Sequence, residues 1–501
     1  MPGIDSEFAR LPLKNLADAA LSRACELGVD YAALRVMSTR QQYISLRNTD
    51  VESSATSDDI GLAVRVVHDG TWGFAAGIAL TTDEAANLVA TAVAVAKVCR
   101  PVSTERVLLA AEPVYSDRQW SSPYEIDPFQ VSDTEKISTM LDFSERLLAG
   151  DGVDFVESSA HAVRENVYYA DTFGTSALQT RVRVEPSLTA TRVDKASGTF
   201  ESMRTICPPA ARGWEYITDP TNGLADEIAQ IPEWLAQKAK APSVRADDYD
   251  LVIDGSNLFL TIHESVGHAT ELDRALGYEA AYAGTSFATV DKLGAMKYGS
   301  EVMNVTGDRT CDWGLATVGY DDEGVAAQQW DLVKGGIFVG YQTDRAMAAH
   351  LDLGRSNGSS YADSARHVPV QRMANVSLQP AADGGSVADL ISRVEDGIYI
   401  VGDNSWSIDM QRYNFQFTGQ RFFKIENGSV VGQLRDVAYQ ATTTDFWGSM
   451  EAVGGPQTFY KGGTFSCGKA QPGQASPASH GSPAALFRKV RILNTVQEAG
   501  A

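Results

Sequence analysis

Six residues constrain this chain more than any others. His263-Glu264-Ser265-Val266-Gly267-His268 set two imidazoles and one carboxylate in a single short window. That is the outline of a hydrolytic metal site, in which histidines hold an ion and a glutamate accepts the proton of an attacking water. The familiar zinc-protease helix spaces its histidines at i and i+4, on one face. Here the spacing is i and i+5. On a regular helix, at roughly 100° per residue, the two side chains would stand about 140° apart, too far round for both to reach one ion at about 2.0 Å. The spacing therefore predicts an irregular helix between Ile262 and Ala269: one turn widened to i→i+5 hydrogen bonding, a π-bulge of the kind found at functional sites. Gly267 is the expected place for it. Upstream, Asp250-Leu251-Val252-Ile253-Asp254 reads as a strand, and Ser256-Asn257 as the N-cap of a helix entered through Leu258-Phe259-Leu260-Thr261-Ile262.

A catalytic zinc takes three protein ligands, so a third is needed. Spacing leaves several open. Glu271 and Asp273 lie three and five residues past His268. Cys467 lies far along the chain as a glycine-flanked thiol expected in a loop, and His480 is a weaker candidate there. The remaining cysteines, Cys25, Cys99, Cys207 and Cys311, read as buried small hydrophobes.

At 501 residues the chain has room for two or more domains, and 44% hydrophobic with 21% charged residues is ordinary for a soluble globular protein. A net charge of −22 argues against a broad basic surface for nucleic acid. The opening residues Met1 to Glu7 lack the basic and apolar regions of a secretory signal, and five scattered cysteines suit a reducing compartment, so a cytoplasmic location is expected. The alanine-rich run Ala85 to Val98 reads as a packed helix short of the ~20 apolar residues of a span, and no membrane association is expected.

The patterning predicts an α+β fold, with a helix-and-strand N-terminal domain over 1–240 and a strand-rich C-terminal domain over 241–501 that carries the metal-binding helix. In the first, Leu11 to Leu27 reads as a helix, Tyr31 to Val36 and Gln42 to Arg47 as two strands, and Leu62 to Val67 with Thr71 to Ala75 as a hairpin about Asp69-Gly70. Thr82 is the expected cap of the alanine-rich helix, and Ser132 with Glu135 a capping box for another. Period-two alternation over 153–206 indicates an antiparallel meander. Leu224 to Lys240 reads as a helix kinked or divided at Pro232. In the second domain, Lys334-Gly335-Gly336 and Asn427-Gly428 mark hairpins, Ser386 opens a helix ending at Gly397, and 470–483 reads as a flexible loop at the rim of the site. Gly354 to Gly358 matches the G-x-S-x-G pattern without the strand-turn-helix context that would expose Ser356 as a nucleophile. Asp321-Asp322-Glu323 reads as an acidic turn, with metal-binding carboxylates as the alternative.

The segment HESVGHATELD, the run Tyr320 to Val325, Arg372-Met373-Ala374-Asn375 and CGKAQPGQ from Cys467 to Gln474, taken in order, resemble the TldD/PmbA family of metalloproteases. The stretch Gly61 to Gly77, with Trp72-Gly73-Phe74, is similar to the family's N-terminal half. The resemblance implies one Zn2+ per chain held by His263, His268 and Cys467, with Glu264 as general base. It implies a zinc-dependent metallopeptidase of the active TldD type, hydrolysing extended or unfolded peptides through a metal-activated water. It further implies a dimeric cavity, formed with a second copy or with a related inactive subunit. The alternative function is a non-catalytic peptide-binding or modulator subunit of a TldD/TldE-like complex.

Overall fold

The structure, a computed structural model, describes residues 3–195 and 198–498. It is α+β. A seven-stranded sheet is drawn from the first 204 residues, in the order Thr71–Gly77, Asp50–His68, Tyr31–Arg47, Phe155–Asp171, Ser176–Val193, Arg118–Ser121, with Phe200–Arg204 also pairing Ser176–Val193. The two short strands expected before Arg47 are one strand of 17 residues. Nothing between Val36 and Gln42 breaks it: the intervening Met-Ser-Thr-Arg-Gln has neither glycine nor proline, and every residue pairs with neighbours on both sides. The meander over 153–206 is present as expected. Asp69 and Gly70 both take positive φ, 48° and 66°, as the Asp-Gly hairpin signal requires.

Two groups of helices cover this sheet. Helix Thr82–Cys99 is capped by Thr81, one residue before the expected Thr82, and buries Ala85, Leu88, Val89, Ala92, Val93 and Ala96. Gly73 permits the close approach, because a Cβ there would lie 1.9 Å from the Ala92 carbonyl oxygen. Extended to Val102, this run is by length and mean hydropathy, 1.3, long and apolar enough to cross a membrane, contrary to the expectation that it falls short. The run is 21 residues from Thr82 to Val102, and its polar interruptions do not bring its mean hydropathy below that of a span. Along the other half of the sheet lie Asp133–Leu148 and Leu224–Lys240, which share a core with Ile44, Val156, Val184 and Leu188. Pro232 sits inside the second helix without dividing it. Ser132 accepts the backbone N–H of Glu135 at 3.2 Å, which is half of the expected capping box.

In the C-terminal half, five strands close into a ring: Asp396–Ile408, Asp247–Ile253, Ala485–Asn494, Val437–Thr442 and Asn414–Glu426, the last returning to the first. Only the Asp247–Ile253 and Asp396–Ile408 pair is parallel. A cluster of Phe415, Phe417, Tyr439, Phe446, Trp447 and Phe487 is packed in this core, the Phe446 and Phe487 rings stacking at 4.2 Å. Both glycine-bearing hairpins form where expected.

Two expectations fail in this half. The Ser386 helix ends at Ile391, and Gly397 lies in the following strand, where the chain enters the ring. The stretch 470–483 is not a flexible loop: Gln474–Ser482 pairs with Tyr460–Lys469 and is buried over most of its length. Small residues of both paired strands serve close packing instead. A Cβ on Gly462 would meet the Phe259 ring at 2.3 Å, and one on Gly481 would meet Phe459 at 2.1 Å. Cys467 accordingly lies in a strand, not a loop.

Candidate metal centre

The strand Asp247–Ile253 runs straight into helix Gly255–Ile262, whose cap is Asp254 and not the expected Ser256-Asn257: Asp254 Oδ1 accepts the Ser256 backbone N–H at 2.9 Å. Asn257 is buried instead, donating to the carbonyls of Gly402 and Thr418, and so ties the helix to the ring. After Ile262 the α-helix ends. Residues His263–Gly267 form a π-turn in which the His268 N–H bonds to the His263 carbonyl, five residues back, and a 3₁₀ turn His268–Thr270 follows. The i,i+5 spacing of the imidazoles is thereby absorbed as the geometry demands.

An irregular buried turn needs outside partners for its backbone. Gln342 Nε2 donates to the Gly267 carbonyl at 2.7 Å, the Thr270 hydroxyl to that of Val266 at 2.9 Å, and the Tyr298 hydroxyl to that of Ser265. Gly267 does not act through glycine's conformational freedom, as expected, since its φ of −55° and ψ of −59° are open to any residue. Its role is proximity: a Cβ there would sit 2.5 Å from Met373 Sδ.

The turn brings His263, His268 and Cys467 together, one ligand atom from each lying within 4.8 Å of the others, all three residues buried. Hydrogen bonds fix both imidazoles in a ligand tautomer. His480 Nδ1 lies 2.9 Å from the Val376 carbonyl and must donate to it, so His480 Nε2 accepts from His263 Nδ1 at 2.7 Å, leaving His263 Nε2 with a free lone pair. His268 Nδ1 donates to Glu271 Oε2 at 2.9 Å and leaves its Nε2 free likewise. Arg274 Nη2 lies 3.3 Å from the same Nδ1, but the shorter contact to a carboxylate decides where the proton sits. Burial lowers the pKa of both histidines, disfavouring their charged forms. Burial pushes the Cys467 thiol up, yet His268 and Arg372 outweigh it and hold the thiol below its ordinary value.

These donors fit zinc. With Zn–N about 2.05 Å and Zn–S about 2.3 Å, a tetrahedral angle places the two donors about 3.5 Å apart. Cys467 Sγ and His268 Nε2 are 3.4 Å apart.

The other expected candidates are committed elsewhere. Lys469 Nζ donates to Asp273 Oδ1 at 2.8 Å, to Glu271 Oε1 at 3.2 Å and to the Gln371 carbonyl at 2.7 Å, with Lys469 and Glu271 wholly buried. Burial would raise Glu271, but Lys469 and Arg274 hold it well below the carboxylate range; burial wins at Asp273, which is raised. Glu271 thus bonds His268 through Nδ1, and His480 bonds His263 in the same way, the arrangement of groups that orient histidine ligands. Sequence reasoning missed Lys469 as a partner. Its place two residues after Cys467, on the same side of a strand, was the available signal. Glu264 is buried and its Oε2 accepts from Arg412 Nη1 at 2.6 Å, a pairing across 148 positions with no local signal.

Elsewhere, Cys207 is buried as expected, but Cys25 and Cys99, near the C-terminal ends of their helices, are exposed and half-buried, and Cys311, in the bend after Val305–Asp308, is half-buried. Ser356 is buried and its hydroxyl donates to the Thr343 carbonyl, consistent with a turn and not a nucleophile. The Asp321-Asp322-Glu323 turn is not solvated. Asp322 pairs with Arg35, and Glu323 with Arg65 at 2.9 Å, so the turn bolts the C-terminal half onto the first sheet.

Family models for the PmbA/TldA metallopeptidase C-terminal domain and domain 1 match residues 246–494 and 32–96. A metalloprotease of Methanocaldococcus jannaschii is 25% identical over 442 residues, 86% of this chain and 91% of that protein. A zinc metalloprotease TldD homolog of Saccharolobus solfataricus is 24% identical over 278 residues, 55% of this chain and 58% of that one. Among solved structures, TldE from Thermococcus kodakarensis superposes with a TM-score of 0.71 at 14% identity, covering 96% of this chain and 99% of that one. A Thermotoga maritima protein named for a proposed role as modulator of a DNA gyrase superposes at 0.76 and 15%, covering 96% and 100%. At those identities the two structures speak to the fold alone.

Proposed function

This chain belongs to the PmbA/TldD metallopeptidase family, and from that premise we propose that it is a zinc-dependent peptidase of the active TldD type that hydrolyses extended or unfolded peptides. The observation that carries the reading is the convergence of two imidazoles in ligand tautomers and one acidified thiol on a single point, with Glu264 the next residue after the first of them. His263 Nε2, His268 Nε2 and Cys467 Sγ would hold the ion. Zinc so held supplies Lewis acidity, which lets water give up a proton near neutral pH. Glu264 accepts that proton as general base and delivers it to the leaving amine. Glu271 and His480 keep the imidazoles aimed. A thiolate donates more charge than a third imidazole, so modest turnover is expected, with selectivity arising from restricted access to a buried site.

Partnership belongs to the same proposal: a homodimer, or a heterodimer with a TldE-like subunit, encloses the site. So does a cytoplasmic location. The second reading is a modulator subunit that cleaves nothing; the complete donor set favours the enzyme. The deciding experiment measures metal content and cleavage of an unstructured peptide together. One zinc per chain with cleavage abolished by a chelator and restored by zinc supports the peptidase. Stoichiometric zinc with no cleavage, alone or with a TldE-like partner, supports the modulator.

A further inference from the structure

The Glu264 carboxylate has one hydrogen-bonding partner among the described residues, and that partner comes from the tip of a distant hairpin. Arg412 lies in the turn between strands Asp396–Ile408 and Asn414–Glu426. Its Nη1 donates to Glu264 Oε2 at 2.6 Å and its Nη2 to the Ala283 carbonyl at 3.2 Å. The side chains are only 14% and 8% exposed. The other carboxylate oxygen, Oε1, takes no protein donor among the described residues. The guanidinium therefore divides the two oxygens of the carboxylate into one that is tied and one that is open.

The turn is built to hold this residue in place. Arg412 takes φ 63°, a left-handed conformation that strains a residue with a side chain. Asp409 over-determines the turn by accepting the backbone N–H groups of Gln411, Tyr413 and Asn414 at 3.0, 2.8 and 3.0 Å and the Asn414 side-chain amide at 2.6 Å, while the Thr443 hydroxyl donates to the Arg412 carbonyl at 2.8 Å. A purely structural role for the guanidinium is superfluous. The segment around Ala283 is already joined to the hairpin by backbone bonds from Thr285 to Met410 at 2.7 Å and from Phe287 to Gln411 at 2.9 Å. Strain kept at a residue aimed at a general base points to function.

We propose that Arg412 is the positioning residue for Glu264: it pins Oε2 so that Oε1 is presented in one orientation to the water whose proton it accepts. This rests on the peptidase reading above. Arg412 itself neither binds the ion nor moves a proton. A flexible glutamate in its place would meet the water in the right geometry for only part of the time, and misplacement by about 1 Å costs up to about 100-fold in rate.

The test uses the full chain with Arg412→Gln, Arg412→Lys and Arg412→Ala. Three readouts are taken: zinc stoichiometry and affinity, kcat and KM on an unstructured peptide, and the Glu264 conformation in crystals of metal-free protein. Expected for Arg412→Gln are zinc affinity within about threefold of wild type, kcat down about 10- to 100-fold with KM little changed, and Glu264 in more than one conformer. Free guanidinium ion should restore part of the kcat of Arg412→Ala, and Arg412→Lys should retain more than Arg412→Gln. A single unchanged Glu264 conformer in the metal-free Arg412→Gln crystal overturns the inference whether or not the wild type proves to be a peptidase. Wild type that binds zinc and cleaves nothing, alone or with a TldE-like partner, sinks the peptidase reading instead. Equal kcat in wild type and Arg412→Gln sinks the inference and leaves that reading standing.

Discussion

Replacing Lys469 with methionine keeps the stem of the side chain and removes the ammonium that joins the Cys467 strand to the segment after His268. Lys469, Glu271 and Arg274 are wholly buried, and the Asp273 side chain is 10% exposed. Breaking a buried ion pair by removing one partner costs about 3–5 kcal/mol, because the remaining charge is left without compensation. Glu271 keeps Arg274 at 3.1 Å and His268 at 2.9 Å, and Asp273 keeps the backbone N–H of Arg274 at 2.7 Å. The carboxylate left most exposed to the loss is therefore Asp273, and the expected deficit for Lys469→Met is at the lower end, about 3 kcal/mol. Burial already raises Asp273 against the pull of Lys469, so in the variant it should take up a proton readily and the deficit should shrink as pH falls. Zinc affinity should drop about 10- to 100-fold, as for other losses among groups that orient metal ligands. Denaturant unfolding at pH 8 and pH 5, with zinc titration, measures all of this. Lys469→Met combined with Asp273→Asn should recover more than half of the lost stability, since the orphaned charge is gone. A single variant as stable as wild type at pH 8, or a double variant no better than the single, would refute the reasoning.

Other outcomes follow from the same geometry. Cys467→Ser should lose zinc far more than Cys311→Ser, as metal analysis of the purified variants will show; equal zinc in both would remove the thiol from the ligand set. Deleting one residue between Ser265 and Gly267 converts the spacing to i,i+4 but discards a turn whose carbonyls are held by Gln342, Thr270 and Tyr298, so the shortened protein should bind zinc worse than wild type. Glu227 is pushed from 4.5 up to about 7 by burial, despite accepting the Ile206 N–H at 2.6 Å. The folded protein thus retains a proton that the unfolded chain releases near 4.5, and this stabilisation, roughly 3 kcal/mol at most, is complete below that pH and lost as pH rises through about 7. Glu227→Gln should melt higher than wild type at pH 8 and much the same at pH 4; equal melting at pH 8 would contradict the buried charge.

The π-turn was legible because it is arithmetic: two imidazoles five residues apart cannot share an ion on a regular helix. The ring of strands, by contrast, has no sequence signature, since its closure depends on Asp396–Ile408 pairing both Asp247–Ile253 and Asn414–Glu426 across long separations. Glycine and small residues misled wherever they serve close packing. Gly462, Gly481 and their neighbours look like a loop and form a buried hairpin. The residue types of the metal cluster were readable, but the third ligand was open on spacing alone. What favours Cys467 is Lys469, which engages Glu271 and Asp273 from the same strand that brings Cys467 in. Arg412 could not have been found from sequence, as its partner is set by the approach of a hairpin tip 148 residues away.

The central claim is that Glu264 accepts a proton beside an ion held by its neighbours, and Glu264→Gln tests it most directly because glutamine fills the same space without accepting one. Zinc content and peptide hydrolysis should be measured on the same preparation of wild type and variant. The expected result is one zinc per chain in both, with hydrolysis in the variant down about 10²- to 10⁴-fold. Hydrolysis at the wild-type rate with zinc retained would contradict the account.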